Sequence, residues 1–224
     1  MKVIINGAMT LDGKIATASG DSRISSKDDL VRLHRLRASV DAVVVGISTI
    51  LADDPRLTVR LARGRNPARI IVDSKGRIPL ESQVLRTADD VRTIVAVTGQ
   101  APEEKIEKIR GAGAEVLVVR EGKGQAAAVP RGVNLKELFA SLEKMGLKKV
   151  LVEGGGELNW SLLRLGMVDE LRVTIAPKIA GGRLATTLVE GDGADRIAQG
   201  VRLQLKQVER KKKTGELVLR YVTG

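Results

Sequence analysis

Val150-Leu-Val-Glu153-Gly154-Gly155-Gly156-Glu157 is the stretch whose reading decides this chain. The four residues from Lys149 read as a buried strand. Three glycines follow, and then Leu158, Leu162, Leu163 and Leu165 recur at helical spacing. A strand that passes through glycines into a helix start gathers unpaired backbone N–H groups at one point. Glycine leaves room for a ligand on that backbone. The helix dipole and the amides both favour an anion there, such as a pyrophosphate. The spacing is not the G-x-G-x-x-G fingerprint, and a tight turn with close strand–helix packing would use the same glycines. Glu153 weighs against a turn alone, because packing gives no reason for a carboxylate at the end of a buried strand.

The alternation continues on both sides. Strands are predicted at Val3–Ile5, Ala42–Val45, Arg69–Val72, Thr93–Val97, Glu115–Val119 and Lys149–Val152. Helices are predicted near Lys27–Ala38, Ser48–Ala52, Glu103–Arg110, Leu135–Lys144 and Leu158–Leu165. Asn134 with Glu137 makes a capping-box-like pair, and Pro102 suits a first helical turn. This is the pattern of parallel βαβ units. The last third changes character. Glu170–Ala176, Arg202–Glu209 and Glu216–Val222 read as strands, and the last two alternate with period two around a Lys-Lys-Thr-Gly turn. They predict an antiparallel edge on a parallel sheet. The Gly- and Ala-containing stretch Arg120–Val133 reads as a flexible loop inserted within a single domain spanning residues 1–224.

Composition narrows the function classes. The 224 residues are 43% hydrophobic, with Phe139, Trp160 and Tyr221 the only aromatics, so the core is aliphatic. Lys plus Arg is 38 against 27 Asp plus Glu, a net charge of +11. That balance favours acidic partners, namely nucleic acid, membrane surfaces or phosphorylated small molecules. Dispersed charge and the lack of stacking aromatics count against nucleic acid. The dense run Arg210–Lys213 reads as a solvated hairpin tip. With no cysteine, disulfides, iron–sulfur clusters and thiol catalysis are excluded. With His34 the only histidine, no transition-metal site is expected, and His34 itself is expected to be structural or superficial. No signal peptide or membrane span is legible, so the expected location is the cytoplasm.

Two further strand ends carry polar groups. In Val43-Val-Val-Gly46-Ile-Ser-Thr49-Ile-Leu-Ala-Asp53-Asp54-Pro55, Thr49 and Asp53 are spaced i, i+4 and share a helical face. Ordinary capping by Asp53 and Asp54 before Pro55 is the structural alternative. Arg69-Ile-Ile-Val72-Asp73-Ser74 again ends a buried strand in short polar side chains. Ligands of open α/β sheets sit outside the carboxyl ends of strands, and three such ends together favour a site. Gly7-Ala-Met-Thr-Leu-Asp12-Gly-Lys14 and Asp21-Ser22-Arg23 follow the first strand, while Arg37 and Arg60 flank the second junction. Arginines beside a serine suit a phosphate, which guanidinium grips bidentately.

These segments together resemble the pyrimidine reductases of riboflavin biosynthesis, and most of all their stand-alone archaeal type. The resemblance rests on Met9-Thr-Leu-Asp-Gly-Lys14, Asp21-Ser-Arg-Ile-Ser25, Leu36-Arg-Ala-Ser-Val-Asp41, Val45-Gly-Ile-Ser-Thr-Ile-Leu-Ala-Asp-Asp-Pro-Arg-Leu-Thr-Val-Arg60, Val72-Asp-Ser74 and Val152-Glu-Gly-Gly-Gly156, and it runs from Val3 to Val222. It implies an α/β, dihydrofolate-reductase-like three-layer fold with a mixed, mostly parallel sheet, bound NADPH (NADH being the alternative) and a homodimer. It implies reduction of the ribosyl group of 2,5-diamino-6-ribosylamino-4(3H)-pyrimidinone 5′-phosphate. The bacterial substrate, 5-amino-6-(5-phosphoribosylamino)uracil, is the alternative. A basic nucleic-acid-binding module is the reading without catalysis. Residue by residue, the resemblance places Thr49, Asp53, Ser74, Gly154, Gly155, Gly156 and Glu157 at the cofactor, with Asp73 adjacent. It places Ser22, Arg37, Leu57, Arg60 and Glu153 at the phosphorylated pyrimidine. For proton transfer the candidates are Asp12 and Glu153, with a substrate phosphate or water as the alternative. No fused zinc deaminase is expected, since the chain has no cysteine to bind zinc.

Overall fold

The computed structural model describes residues 1–122 and 132–224. Most of the loop expected over Arg120–Val133 lies outside the described residues. The chain divides into two compact units, one of Met1 with His34–Val150, the other of Lys2–Leu33 with Leu151–Gly224.

The first unit contains β2 (Ala42–Gly46), β3 (Ala68–Val72), β4 (Thr93–Val97) and β5 (Glu115–Val118), all parallel, in the order β5-β4-β3-β2. Successive side chains of a strand point to opposite faces, so an unbroken buried run means that both faces are covered. All five residues of β4 and the first four of β2 and β3 are buried. Beside these strands lie α2 (Ile47–Asp53), the short α3 (Gln83–Arg86), α4 (Glu103–Gly111) and α5 (Leu135–Lys144). Asn134 caps α5 by accepting from the Glu137 amide, as its sequence spacing requires. Arg69 is the exception in β3. It is fully buried, and burial lowers its pKa to about 10, so it keeps its charge at neutral pH. Its guanidinium donates to Thr93 and Thr87 hydroxyls and to the carbonyls of Val84, Thr87 and Val91. That fan of bonds ties α3 and the following turn to the strands.

In the second unit β1 (Lys2–Thr10) pairs in parallel with β7 (Glu170–Ala176), and β9 (Leu217–Thr223) and β8 (Leu203–Arg210) extend it antiparallel, with a register shift between Leu205 and Gln207. The antiparallel carboxyl-terminal edge and the hairpin tip at Lys211–Glu216 match the sequence reading. β1 runs five residues beyond the expected Ile5, because Asn6 to Thr10 pair with Arg172 to Ala176. α1 (Lys27–Arg37) docks its first turns through polar bonds. Arg32 binds Asp29, Asn6 and Thr174, and Glu216 accepts from the Ser26 amide and hydroxyl. Buried polar groups of this kind are stable only when paired. At the far end of β7, burial favours the protonated form of Glu170, but Arg172, Arg220 and Lys2 outweigh it and hold the carboxyl below its usual range. β6 (Lys149–Val152) begins in the first unit and ends in the second, leading into α6 (Gly156–Arg164).

Candidate functional site

In the first unit the parallel register sets Gly46 beside Val72 and Val72 beside Ala96. The carboxyl ends of β2, β3 and β4 therefore lie along one edge, where an α/β sheet offers space to a ligand. Gly46 caps α2, which presents Thr49 half-buried and Asp53 exposed. The structural alternative of capping holds for Asp54. It ends α2 in the left-handed region, φ 39°, and its Oδ1 accepts from the Gln83 amide at 2.8 Å. Asp73 is buried, and its Oδ2 accepts from the Ile78 amide at 2.8 Å, so this carboxylate folds the turn 73–78. The neighbouring Ser74 stays half-buried at the edge. Its carbonyl accepts from both the amide and the hydroxyl of Thr98, at 3.0 and 2.9 Å. Thr98-Gly99-Gln100 is thus a further polar strand end that the sequence reading missed. The signal was present: a buried strand ends in polar and glycine residues just before the helix-starting Pro102. A Cβ on Gly99 would meet nothing within 4 Å, so the space over this turn is open.

Two predicted phosphate ligands also come together in this unit. Arg37 is buried at the end of α1, and its guanidinium donates to the Thr58 carbonyl at 3.0 Å. Arg60 donates to the Thr58 hydroxyl at 2.8 Å. Leu57 orients this segment. It is buried with φ 55°, a conformation that costs an L-residue about 1–2 kcal/mol. Such strain persists where the surroundings fix it. Arg60 loses its proton more readily than a free guanidinium, first through burial and then through repulsion by Arg37 and Arg56. An arginine cluster of this kind is relieved by an anion.

In the second unit the glycine turn has the expected form. Glu153 is half-buried at the end of β6, Gly154 sits at φ 100°, the Gly154–Gly155 peptide is cis, and Gly155 is the N-cap of α6. Being glycine, this N-cap brings no capping side chain of its own. The first amides of α6 have no carbonyl of their own helix to meet, and Glu157, exposed in the first turn, leaves them to other acceptors. The far side of the turn rests on a strap, residues 178–190. The Glu190 amide donates to the Gly156 carbonyl at 3.1 Å, and Asn159 Nδ2 donates to the Leu188 carbonyl at 2.8 Å. A Cβ on Gly156 would lie 2.6 Å from Glu190 Cγ and 2.8 Å from the Thr187 carbonyl oxygen. Asn159 Oδ1 is buried with no protein donor. Glycine backbone, helix-start amides and an unsatisfied acceptor fit the phosphates and polar groups of a dinucleotide. Asn159 is a second residue missed from sequence. Its signal was a polar side chain on the helix face that also carries Leu162 and Leu163.

Asp12 lies on the same scaffold. It accepts from the Thr10 hydroxyl at 2.5 Å and from the amides of Gly181 and Ala180 at 2.7 and 3.1 Å. The Thr10 and Gly181 bonds lead in lowering its pKa to about 2. It is a fixed carboxylate at neutral pH and pins the strap. Ser22 is exposed in the loop before α1, next to an Asp21–Arg23 ion pair. Among the described residues no group of three or more His, Cys, Asp or Glu could hold a metal ion, and no helix is long and apolar enough to cross a membrane.

Residues 1–215 match the family described as the RibD C-terminal domain. The chain is 49% identical over 208 residues to the 2,5-diamino-6-ribosylamino-4(3H)-pyrimidinone 5′-phosphate reductase of Methanothermobacter thermautotrophicus, covering 92% of this chain and 91% of that one. It is 39% identical over 208 residues to the riboflavin biosynthesis protein RibD of Actinobacillus pleuropneumoniae, covering 92% of this chain and 53% of that one. The solved structure of Acinetobacter baumannii RibD superposes with a TM-score of 0.79 at 28% identity, covering all of this chain and 58% of the other. The chain therefore spans little more than half the length of the RibD proteins and nearly the full length of the archaeal reductase.

Proposed function

The chain belongs to the RibD C-terminal domain family, and from that membership we propose that it is an oxidoreductase of riboflavin biosynthesis, reducing 2,5-diamino-6-ribosylamino-4(3H)-pyrimidinone 5′-phosphate to the ribitylamino product as one domain over residues 1–224. The observation that carries the reading is the glycine-capped start of α6 behind the Glu153–Gly155 turn, a backbone anion site on a chain 49% identical to a named reductase. The 49% identity to that reductase, against 39% to the RibD of Actinobacillus pleuropneumoniae, favours its substrate over the bacterial amino-uracil.

NADPH, when bound, supplies the hydride for C1′ of the ribosyl group, and the protein supplies orientation and charge. The amides of Gly155, Gly156 and Glu157 and the opening at Gly154 hold the diphosphate. Thr49, Asp53 and Ser74 hold the remainder of the cofactor. Asp73 supports Ser74 by folding its turn. Arg37 and Arg60 hold the substrate phosphate, with Leu57 shaping their segment and Ser22 contributing a hydroxyl. Glu153 reads the pyrimidine. Because Asp12 is ionised far below neutral pH, we assign it to fixing the strap, and proton delivery falls to Glu153, a bound water or the substrate phosphate.

We assign the assembly as a homodimer and the location as the cytoplasm. What supports a dimer is β8, whose eight residues are all exposed, with Leu205 and Val208 about half accessible on an edge strand that needs covering. The deciding experiment follows NADPH and NADH oxidation with each of the two pyrimidine phosphates. Turnover of the diamino-pyrimidinone supports the assignment, and turnover of only the amino-uracil transfers it to the bacterial reaction. A titration against DNA over a range of salt completes the test. Tight, steeply salt-dependent binding without turnover would instead mark a nucleic-acid-binding module.

A further inference from the structure

We propose that His34 is a positioning residue for substrate binding, acting through the backbone of Arg60. His34 is 3% exposed in the last turn of α1, and its Nδ1 accepts from the Arg60 amide at 2.8 Å. An imidazole nitrogen that accepts carries no proton, so the neutral ring has its hydrogen on Nε2. The bond spans 26 residues of sequence and reaches an irregular segment with no strand ladder to hold it. The next amide back, Val59 N–H, is held in the same manner by Asn66 Oδ1 at 2.8 Å. Two side-chain acceptors therefore fix the direction in which residue 60 leaves the loop.

The placement on α1 gives the bond its purpose. His34 and Arg37 are spaced i, i+3 and share one helix face. One turn of helix thus supplies both the Arg37 guanidinium, which reaches the Thr58 carbonyl, and the acceptor that sets Arg60, whose guanidinium reaches the Thr58 hydroxyl. The two cations are held at a fixed spacing against their mutual repulsion. A phosphate gripped by both depends on that spacing. This inference rests on the assignment of Arg60 to the substrate phosphate.

The test compares three substitutions. His34→Asn keeps an oxygen acceptor near the Nδ1 position. His34→Gln carries its carboxamide one bond further, near Nε2, and His34→Leu removes the acceptor. KM for the pyrimidine phosphate is expected to rise about five- to tenfold in His34→Leu and His34→Gln, the scale of one lost hydrogen bond. kcat should change less than about twofold, the NADPH dissociation constant should hold, and His34→Asn should stay near wild type. Hydrogen exchange at the Arg60 amide supplies a readout independent of turnover, with protection kept in Asn and lost in Gln and Leu. If Asn fails as badly as Leu, or if Leu and Gln leave KM unchanged, the positioning role is overturned. Arg60→Ala separates the two readings. A raised KM there with a normal KM in His34→Gln sinks the His34 proposal alone. An unchanged KM in Arg60→Ala sinks the phosphate assignment and with it the role of His34 in substrate binding, even where the exchange data show the backbone bond.

Discussion

The amide of Gly181 donates to Oδ2 of Asp12 at 2.7 Å, tying the strap that backs the glycine turn to the loop that follows β1. The ionised carboxylate accepts this bond most strongly, and the folded pKa of about 2 lies below the ordinary 3.8. The linkage has the sign of a depressed acid. The contribution is complete above the unfolded value and is lost as pH falls through the folded one. Protection of the Ala180 and Gly181 amides from hydrogen exchange should therefore be constant from neutrality to about pH 4 and fall away toward pH 2. Asp12→Asn should lower that protection already at neutral pH. Asp12 titrating near an ordinary aspartate value by NMR would contradict the bond network.

The glycines of the turn should separate by mechanism. A Cβ at Gly156 collides with Glu190 and with the Thr187 backbone. Gly156→Ala should therefore destabilise by about 1–3 kcal/mol and loosen the strap. At Gly154 a Cβ finds only Asn159 Nδ2, at 3.9 Å, so the cost of Gly154→Ala comes from its φ of 100° and should be about 1 kcal/mol or more. A folded Gly155→Val protein should have a raised NADPH dissociation constant, because a branched side chain would compete with the diphosphate for the space over this backbone. Urea midpoints and cofactor titrations on the three variants check this. Unchanged NADPH binding in a folded Gly155→Val protein would remove the turn from the cofactor site.

Removing one arginine of the pair should act on the substrate alone. Arg60→Ala is expected to cost about 1.5–3 kcal/mol in kcat/KM for the pyrimidine phosphate, the range for a hydrogen bond to a charged group. Cofactor affinity should barely move. Equal losses for both ligands would show that Arg60 supports the fold.

What the sequence made legible was set by locality. β2, β3 and β4 announced themselves through the aliphatic runs Ala42–Val45, Ile70–Val72 and Ile94–Val97, and the cap of α5 lay within four residues. The second half of β1 was hidden because Gly7, Ala8 and Met9 have no strand-forming pattern of their own, and pairing with β7 makes them a strand. α3 was hidden because one turn of helix is held from outside, by Arg69 bonds to Val84 and Thr87. The glycine turn and the arginines could be picked out as chemistry, but their support could not. His34 reaches Arg60 across 26 residues, and Asn159 reaches Leu188 across 29. No short window contains such a pair. The strap itself has no period, and what fixes it is bonding to the loop at Asp12 and to the start of α6.

Glu153 gives the sharpest test of base recognition. It stands half-buried at the carboxyl end of β6, directly before the turn assigned to the cofactor diphosphate. A carboxylate there would repel phosphate oxygens, which sets it toward the base and away from the cofactor diphosphate. The amino and ring N–H groups of a diamino-pyrimidinone are donors of the right kind. Glu153→Gln keeps the shape and exchanges one acceptor for a donor, so one contact with the base turns from attractive to repulsive. The expected loss in kcat/KM for the pyrimidine phosphate is one to two orders of magnitude, at about 1.4 kcal/mol per decade. NADPH binding should be unchanged or slightly tighter, since a negative charge beside the diphosphate has gone. A Glu153→Gln enzyme with normal substrate kinetics would confine the residue to a structural role, and recognition of the base would then have to come from elsewhere in the site.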